Sequence, residues 1–333
     1  MIDGKNIFVS GGTGSFGQKF VEMLLKRYRP AKVIIFSRDE YKQFNMQKKF
    51  AAYEKELRFF IGDVRDKERL YRALEGVDIV IHAAAFKQVP AAEYNPFEAV
   101  KTNILGTQNL VETAIDQGVK KFIALSTDKA VNPINLYGAT KLAMEKLVIA
   151  GENYSGGKKI SFAVVRYGNV LGSRGSVLPF FLELKNNGGK VFPITDLRMT
   201  RFWITLEEAV ELVFYALENS IGGEIFVPKI PSMKIIDLAR AICPDCEFEE
   251  IGIRPGEKLH ETLISEDEAR TTYDLGKYYV ILPQFLFKHK KLYEYYSQFP
   301  KVKEGFVYRS DQNLQWLTAE DLRKIVKDHF EVY

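Results

Sequence analysis

Cysteine and histidine are scarce: two and four residues in a chain of 333. A zinc site needs about four ligands, and the histidines show no ligand-like spacing, so no metal is expected. Both cysteines lie in CPDC, as Cys243 and Cys246. That spacing fits half a zinc site or a redox pair, yet it does not sit at a thioredoxin-like strand end; two reduced structural thiols are expected. No run approaches the ~20 apolar residues of a membrane span. The start, MIDGKNIFVSGG, has no basic region leading into a long apolar segment, so the reading is a soluble cytoplasmic protein with no membrane partner. Charge of one sign is not in excess either, with 47 Lys plus Arg against 43 Asp plus Glu and a net charge of +4. The long basic blocks of nucleic-acid binders are missing, and an anionic small molecule accounts for mild positivity equally well.

What is present is a β–α rhythm. NIFVS, VIIFS, LRFFIG, DIVIHAA, KFIALST and ISFAVVR are short, apolar, β-branched runs separated by helix-length segments. Strands that are apolar throughout are buried on both faces, which implies a Rossmann-type doubly wound parallel sheet. At 46% hydrophobic the chain can bury such a core. After Arg166 the rhythm breaks into GNVLGSRGS, KNNGGK and EIFVPKIPSM. The expected division is 1–168 for the main nucleotide-binding part and 169–333 for a smaller mixed lobe and tail, with some later segments returning to the first.

The first strand runs into GGTGSFG, where Gly11, Gly14 and Gly17 space a dinucleotide fingerprint that brings a pyrophosphate to a helix N-terminus. Thr13, Ser15 and Phe16 belong to the same cradle. The second strand ends in FSRDE. An acid at that tip favours NAD and an arginine favours a 2′-phosphate, so Ser37, Arg38 and Lys42 point to NADP; the plainer alternative is a solvated helix start, with Asp39 and Glu40 favoured there by the helix dipole. Asp63 and Val64 at the third strand's end fall where an adenine would lie, and the small residues Ala83, Ala84 and Ala85 at the fourth let a cofactor approach the sheet edge.

KFIALST is the fifth strand, so STDKAVNPINLYGATK leaves its carboxyl end on the ligand side. Tyr137 and Lys141, four apart on one helix face, form a pair in which an ammonium is expected to favour phenolate. Such a phenol can take a proton from an alcohol while hydride leaves for a nicotinamide.

These segments resemble the extended short-chain dehydrogenases/reductases, and the Thr127-Asp128-Lys129 variant of the usual Thr-Asp-Glu resembles the inverting UDP-N-acetylglucosamine 4,6-dehydratases within them. SRDE, FIGDVRD, AEYNP, KTNILGTQN, RYGNVLGSRGSVLPFF, ITDLRMTRFWIT, GGEIFVPKIPSMK and IGIRPGEKLHE share the likeness. It implies Thr127, Asp128, Lys129 and Tyr137 as the reacting set, with Lys141 orienting the cofactor ribose, and Lys87 and Thr102 among the cofactor contacts. It implies a recycled, tightly bound NADP, a UDP-N-acetylglucosamine substrate, a dimer or hexamer, and a product used for pseudaminic acid, as in flagellin glycosylation and surface polysaccharides. Lys129 is expected to remove the carbon-five hydrogen if burial and cationic neighbours keep it neutral part of the time. Gln88 departs from a Lys-His-Val-Pro pattern at FKQVP and puts one local contact in doubt.

Substrate contacts are expected from Lys87, Asn169, Arg174, Arg201, Arg254 and Glu257, the arginines because their forks suit a diphosphate. A structural ion pair, such as Arg254 with Glu257, is the competing role for each arginine. Glu257 and His260 are expected on a helix, His260 as a structural residue and Trp203 in the core. A UDP-sugar 4-epimerase or reductase would need Tyr137 and Lys141 without the Asp-Lys pair. A non-catalytic NADP-binding regulator would have no use for Tyr137 and Lys141, which are intact.

Overall fold

Apolar strands with no polar face require cover on both sides, and the alternation of strand and helix supplies it. The computed structural model describes residues 2–173, 175–285 and 290–330. Its first half runs β1 (Asn6–Ser10), α1 (Ser15–Arg27), β2 (Lys32–Ser37), α2 (Glu40–Lys49), β3 (Leu57–Ile61), α3 (Lys67–Ala73) and β4 (Ile79–His82). Short helices α4 (Val89–Tyr94) and α5 (Pro96–Val100) follow, then a wide π-type turn at Lys101–Leu105, α6 (Gly106–Asp116), β5 (Lys121–Thr127), α7 (Leu136–Tyr154) and β6 (Ser161–Tyr167).

Beyond β6 the elements shorten: β7 (Asn169–Val170), α8 (Val177–Asn186), β8 (Val191–Ile194), β9 (Thr200–Ile204), α9 (Leu206–Asn219), β10 (Glu224–Pro228) and β11 (Ser232–Lys234). Then come α10 (Ile235–Ile242), β12 (Glu247–Glu250), β13 (Thr262–Ile264), β14 (Thr272–Asp274), β15 (Tyr278–Ile281) and β16 (Tyr308–Arg309). The nine-stranded sheet has the order β14-β15-β10-β6-β5-β4-β1-β2-β3. It is parallel from β3 to β10, whereas β15 and β14 run antiparallel at the edge. Strand order reverses between β1 and β4, each paired to the other, which opens a crevice at their carboxyl ends. The chain after residue 169 thus returns to the main sheet through β10, β15 and β14, and also builds small sheets from β11-β9-β7, β12-β8 and β13-β16.

Two apolar cores form among the described residues. Phe8, Phe122, Phe162 and Phe226 lie in the large one; Phe181, Phe192, Trp203 and Leu238 lie in the second, beside the small sheets. Trp203 is therefore core, as its apolar surroundings in sequence suggest. Beside the large core, Arg166 at the end of β6 has its guanidinium 2.7 Å from Glu145 on α7 and 2.8 Å from Glu268. Buried in this way, all three charges depend on one another.

The expectation of reduced thiols is corrected: Cys243 and Cys246 are joined as a disulfide. Residue 243 ends α10 and residue 246 precedes β12, and the turn between them brings the Cα atoms to 5.4 Å, within bridging range. Among the described residues no helix is long and apolar enough to cross a membrane.

Candidate active site

The cofactor cleft is built from the turn after β1. Gly11 has φ +66°, and a methyl group there would stand 2.8 Å from the backbone nitrogen of Ala84, so a side chain is excluded by both conformation and space. Gly14 caps α1 with no side-chain bond to the helix, and the first turn, starting at Ser15, has no acid. Thr13, Ser15 and Phe16 flank these open N–H groups, and Gly17 is buried against Gly12. Unsatisfied N–H groups at a helix N-terminus suit a diphosphate, so the residues present fit a dinucleotide.

Sequence reasoning missed how the alanine run is fixed. Ser10 Oγ accepts from the N–H groups of Ala83 and Ala84 at 3.1 and 3.2 Å and lies 2.8 Å from His82 Nδ1. His82 Nε2 is 2.9 Å from Thr107 Oγ1, which donates to the Asn103 carbonyl. Burial, helped by the charge of Lys141, lowers His82 to about 3, so the ring stays neutral and the chain of bonds keeps one polarity. Asn103 then holds both backbone groups of Phe86 and donates to Thr140 Oγ1 at 2.9 Å, tying the loop beyond Ala85 to α7. A histidine inside an apolar strand was the available signal; its partners were too distant in sequence to find.

At the tip of β2, Ser37 accepts from Gln43 and the Arg38 side chain is 62% exposed, 3.7 Å from Asp63. Asp39 is turned away to cap α2, accepting from the Lys42 N–H, while Lys42 Nζ lies 2.7 Å from the same carboxylate. Burial raises Asp63, but its bonds from Arg65 outweigh that and hold it below the usual carboxylate range. Val64 is buried against Gly106, and Thr102 is buried on the π-type turn. Lys87 is lowered by desolvation and by the charge of Lys129. Gln88 stands at the N-cap of α4 without a capping bond, facing Gly175.

The residues expected to react meet where β5 ends. Thr127 caps the short turn Asp128–Ala130 and donates to Asp128 Oδ1 at 2.7 Å. Asn135 caps α7 by accepting from Gly138, which presents Tyr137 and Lys141 to that turn. Gly138 carries no side chain because a methyl there would come 2.1 Å from the Lys129 carbonyl. Lys129 Nζ is 3.1 Å from Asp128 Oδ1, 3.4 Å from Asn169 Oδ1 and 3.4 Å from Glu261 Oε1.

Electrostatics correct two expectations. Tyr137 is not held as phenolate by Lys141: burial first, with the Asp128 charge, raises the phenol to about 12, despite the nearby charge of Lys129. Lys141 instead gives its ammonium to the Leu125 carbonyl at 2.6 Å, and burial lowers it to about 8. Nor do cationic neighbours keep Lys129 neutral. Burial and Arg201 favour the amine, but the carboxylates of Asp128 and Glu261 prevail and raise Lys129 above its ordinary value. Asp128 is itself raised, chiefly because it is fully buried.

The remaining sequence candidates separate. Asn169 lies beside the residues expected to react, accepting from Lys129. Arg201 is buried beside it, with its guanidinium on the Thr200 and Leu259 carbonyls and 3.8 Å from Glu261. Arg254 is 60% exposed and 3.9 Å from Glu257, the ion pair that competes with phosphate binding. Arg174 lies outside the described residues. The helix expected for Glu257 and His260 is corrected to a turn and an extended stretch ending in a bridge between Thr200 and His260, since Pro255 and Gly256 favour a turn. His260 Nδ1 is 2.8 Å from Thr200 Oγ1. Asn135 Nδ2 donates to the Gly256 carbonyl and Lys258 Nζ to that of Val131, so this stretch closes over the turn after β5. It brings in Lys258 and Glu261, both missed in the sequence reading although their segment was singled out.

With this geometry in hand, the profile of the polysaccharide biosynthesis protein family matches residues 7–283. The chain belongs to this family. It is an extended short-chain dehydrogenase/reductase, 54% identical over 98% of both chains to an inverting UDP-N-acetylglucosamine 4,6-dehydratase of Campylobacter jejuni. It is also 45% identical, over 84% of both chains, to a UDP-glucose 4-epimerase of Rickettsia conorii. Among solved structures, Pen from Bacillus thuringiensis covers 100% of both chains with a TM-score of 0.89 and 38% identity.

Proposed function

We infer that this chain is an inverting UDP-N-acetylglucosamine 4,6-dehydratase, giving UDP-2-acetamido-2,6-dideoxy-β-L-arabino-hex-4-ulose. The observation that carries this is the hydrogen-bonded Asp128–Lys129 pair beside Tyr137, in a chain 54% identical to an enzyme of that name. A nicotinamide dinucleotide in the cleft would accept hydride from carbon four and return it to carbon six, so it is recycled and stays bound. Tyr137 would take the 4-hydroxyl proton as phenolate; burial raises the phenol to about 12, so its own proton must first leave to solvent, which a cationic nicotinamide in the cleft would favour. The new ketone acidifies carbon five. Lys129 passes a proton to Asp128 along their 3.1 Å bond, which makes an amine and a carboxylic acid at once. The amine removes the carbon-five hydrogen while Asp128 protonates the departing 6-hydroxyl. Asp128 Oδ2 is buried with no hydrogen-bond partner among the described residues, a cost of about 1–3 kcal/mol that a substrate hydroxyl would relieve. The pair ends as it began, an ammonium and a carboxylate, and the ammonium can return a proton to carbon five from the other face.

Product NMR tests this reading. Run with UDP-N-acetylglucosamine in deuterated water, the reaction should give an L-configured product with deuterium at carbon five and none at carbon six. The similarity to a 4-epimerase favours one competing reading, which predicts a product with no methyl group. Deuterium at carbon six, or a D-configured product, would overturn the inverting assignment.

We assign NADP as the cofactor on Arg38, with Asp39 occupied as a helix cap. Arg38→Asp should weaken NADP binding about ten- to a hundred-fold, the loss of one charge-assisted contact; an unchanged affinity in a titration would remove the assignment. Lys87, Asn169, Glu257 and Arg254 are proposed to meet the UDP-sugar; Arg201 serves the buried cluster first. Tyr94, Phe97 and Leu105 are exposed at 87%, 61% and 47%, which supports homo-oligomerisation. A cytoplasmic enzyme feeding pseudaminic acid synthesis completes the proposal.

A further inference from the structure

Glu261 has no part in the chemistry set out above, yet its side chain is only 3% exposed. Its backbone is held from both sides: the N–H donates to Ser310 Oγ at 3.0 Å and the carbonyl accepts from the Ser310 N–H at 2.9 Å. Ser310 Oγ is in turn 2.7 Å from Thr200 Oγ1. From this anchored position the carboxylate meets three cations. Lys129 Nζ is 3.4 Å from Oε1, Arg201 Nε is 3.8 Å from Oε1, and Lys258 Nζ is 3.7 Å from Oε2. These cations come from the turn after β5, from β9 and from the 254–261 stretch itself.

We propose that Glu261 is the positioning residue for Lys129, an anchored counter-ion that fixes where the ammonium stands between Asp128 and Asn169 and keeps a proton on the Asp128–Lys129 pair. The proposal rests on the dehydratase reading for its catalytic consequence, but not for the interaction itself. A counter-ion on a flexible loop would follow Lys129 about; one pinned at the entry to β13 holds it. The groups facing Lys129 are Asp128 on its own turn, Tyr137 on α7, Arg201 on β9, Lys258 and Glu261 on the closing stretch, and Lys87 beyond β4. Of these, Asp128 and Glu261 are the carboxylates, and Asp128 gains and loses a proton in the reaction. Glu261 is the carboxylate whose charge persists, since its three cations outweigh the effect of burial and hold it below the ordinary range. The same negative charge raises both Asp128 and Lys129. Both ends of the proton-sharing bond are thus biased in one direction by a residue that need touch neither substrate nor cofactor.

Competitive acetylation of the purified enzyme across pH, read by mass spectrometry at Lys129, tests the interaction without turnover. In Glu261→Gln the half-point of Lys129 labelling should fall by about one pH unit or more, the effect of removing an opposite charge at this range. The alkaline limb of kcat should move down in pH with it, while KM for UDP-N-acetylglucosamine stays within about two-fold and kcat falls about ten-fold or more. Glu261→Asp keeps the charge but withdraws it by one methylene. It should give a smaller fall in the labelling half-point and a partial recovery of kcat, and it serves alone if the Gln variant does not fold. A merely structural carboxylate would lower thermal stability and leave the Lys129 half-point and the kcat–pH profile in place; that outcome in either folded variant overturns the proposal. If the wild type made no 6-deoxy-4-keto sugar, the dehydratase reading would fail, while the labelling shift would still decide the role of Glu261.

Discussion

Tyr137→Phe is expected to stop the first oxidation, with kcat lower by on the order of a hundred- to ten-thousand-fold, the range for losing a general base. The substitution removes only the phenolic oxygen. Tyr137 sits in the first turn of α7, whose N-cap bond from Gly138 to Asn135 does not involve that oxygen, so the helix and the ring packing survive. Thr127 still donates to Asp128, which keeps the neighbouring turn in place. No other described group takes over easily: Lys141 is engaged by the Leu125 carbonyl, and Lys129 is held as an ammonium by Asp128 and Glu261. Stopped-flow absorbance of the nicotinamide on mixing with substrate is the measurement. Reduction at the wild-type rate would exclude Tyr137 as the base.

Lys129→Ala should have an effect of similar size at a different step. With Tyr137 as the proposed base, oxidation at carbon four does not call on Lys129 and is expected to persist, so reduced nicotinamide should accumulate. Elimination should slow by on the order of a hundred-fold or more, with no methyl signal at early times and no solvent deuterium at carbon five. The variant should fold, because the charges left behind are accommodated. Glu261 keeps Arg201 and Lys258, and Asp128, already raised by burial, can become neutral once its ammonium is gone. Thermal melting checks this separately. Methyl formation at the wild-type rate would show that water or Asp128 alone manages carbon five, and Lys129 would leave the mechanism.

The contrast between these variants shows what each level of description decides. Local pattern was enough for the nucleotide-binding frame. β-branched runs at β1 to β6, the glycines after β1 and the Tyr137–Lys141 spacing are consequences of short-range geometry, which sequence carries directly. The adjacent Thr127, Asp128 and Lys129 were legible for the same reason, since a turn of consecutive residues cannot separate them. Their protonation was not. A lysine beside an aspartate can be amine or ammonium according to what else is buried there, and the second carboxylate that adds to Asp128, Glu261, is 132 residues away along the chain (261 − 129). Tertiary structure alone brings that residue to Lys129, through a Pro255 turn where a helix was expected and through Ser310 beyond it. Lys141 followed the same rule: its spacing placed it on the face of Tyr137, but the Leu125 carbonyl took its ammonium. Spacing along one helix is fixed by covalent geometry, whereas charge state depends on burial and on Coulomb partners contributed by distant segments. The sequence determined which groups meet at the end of β5; the packed chain determined which of them hold protons.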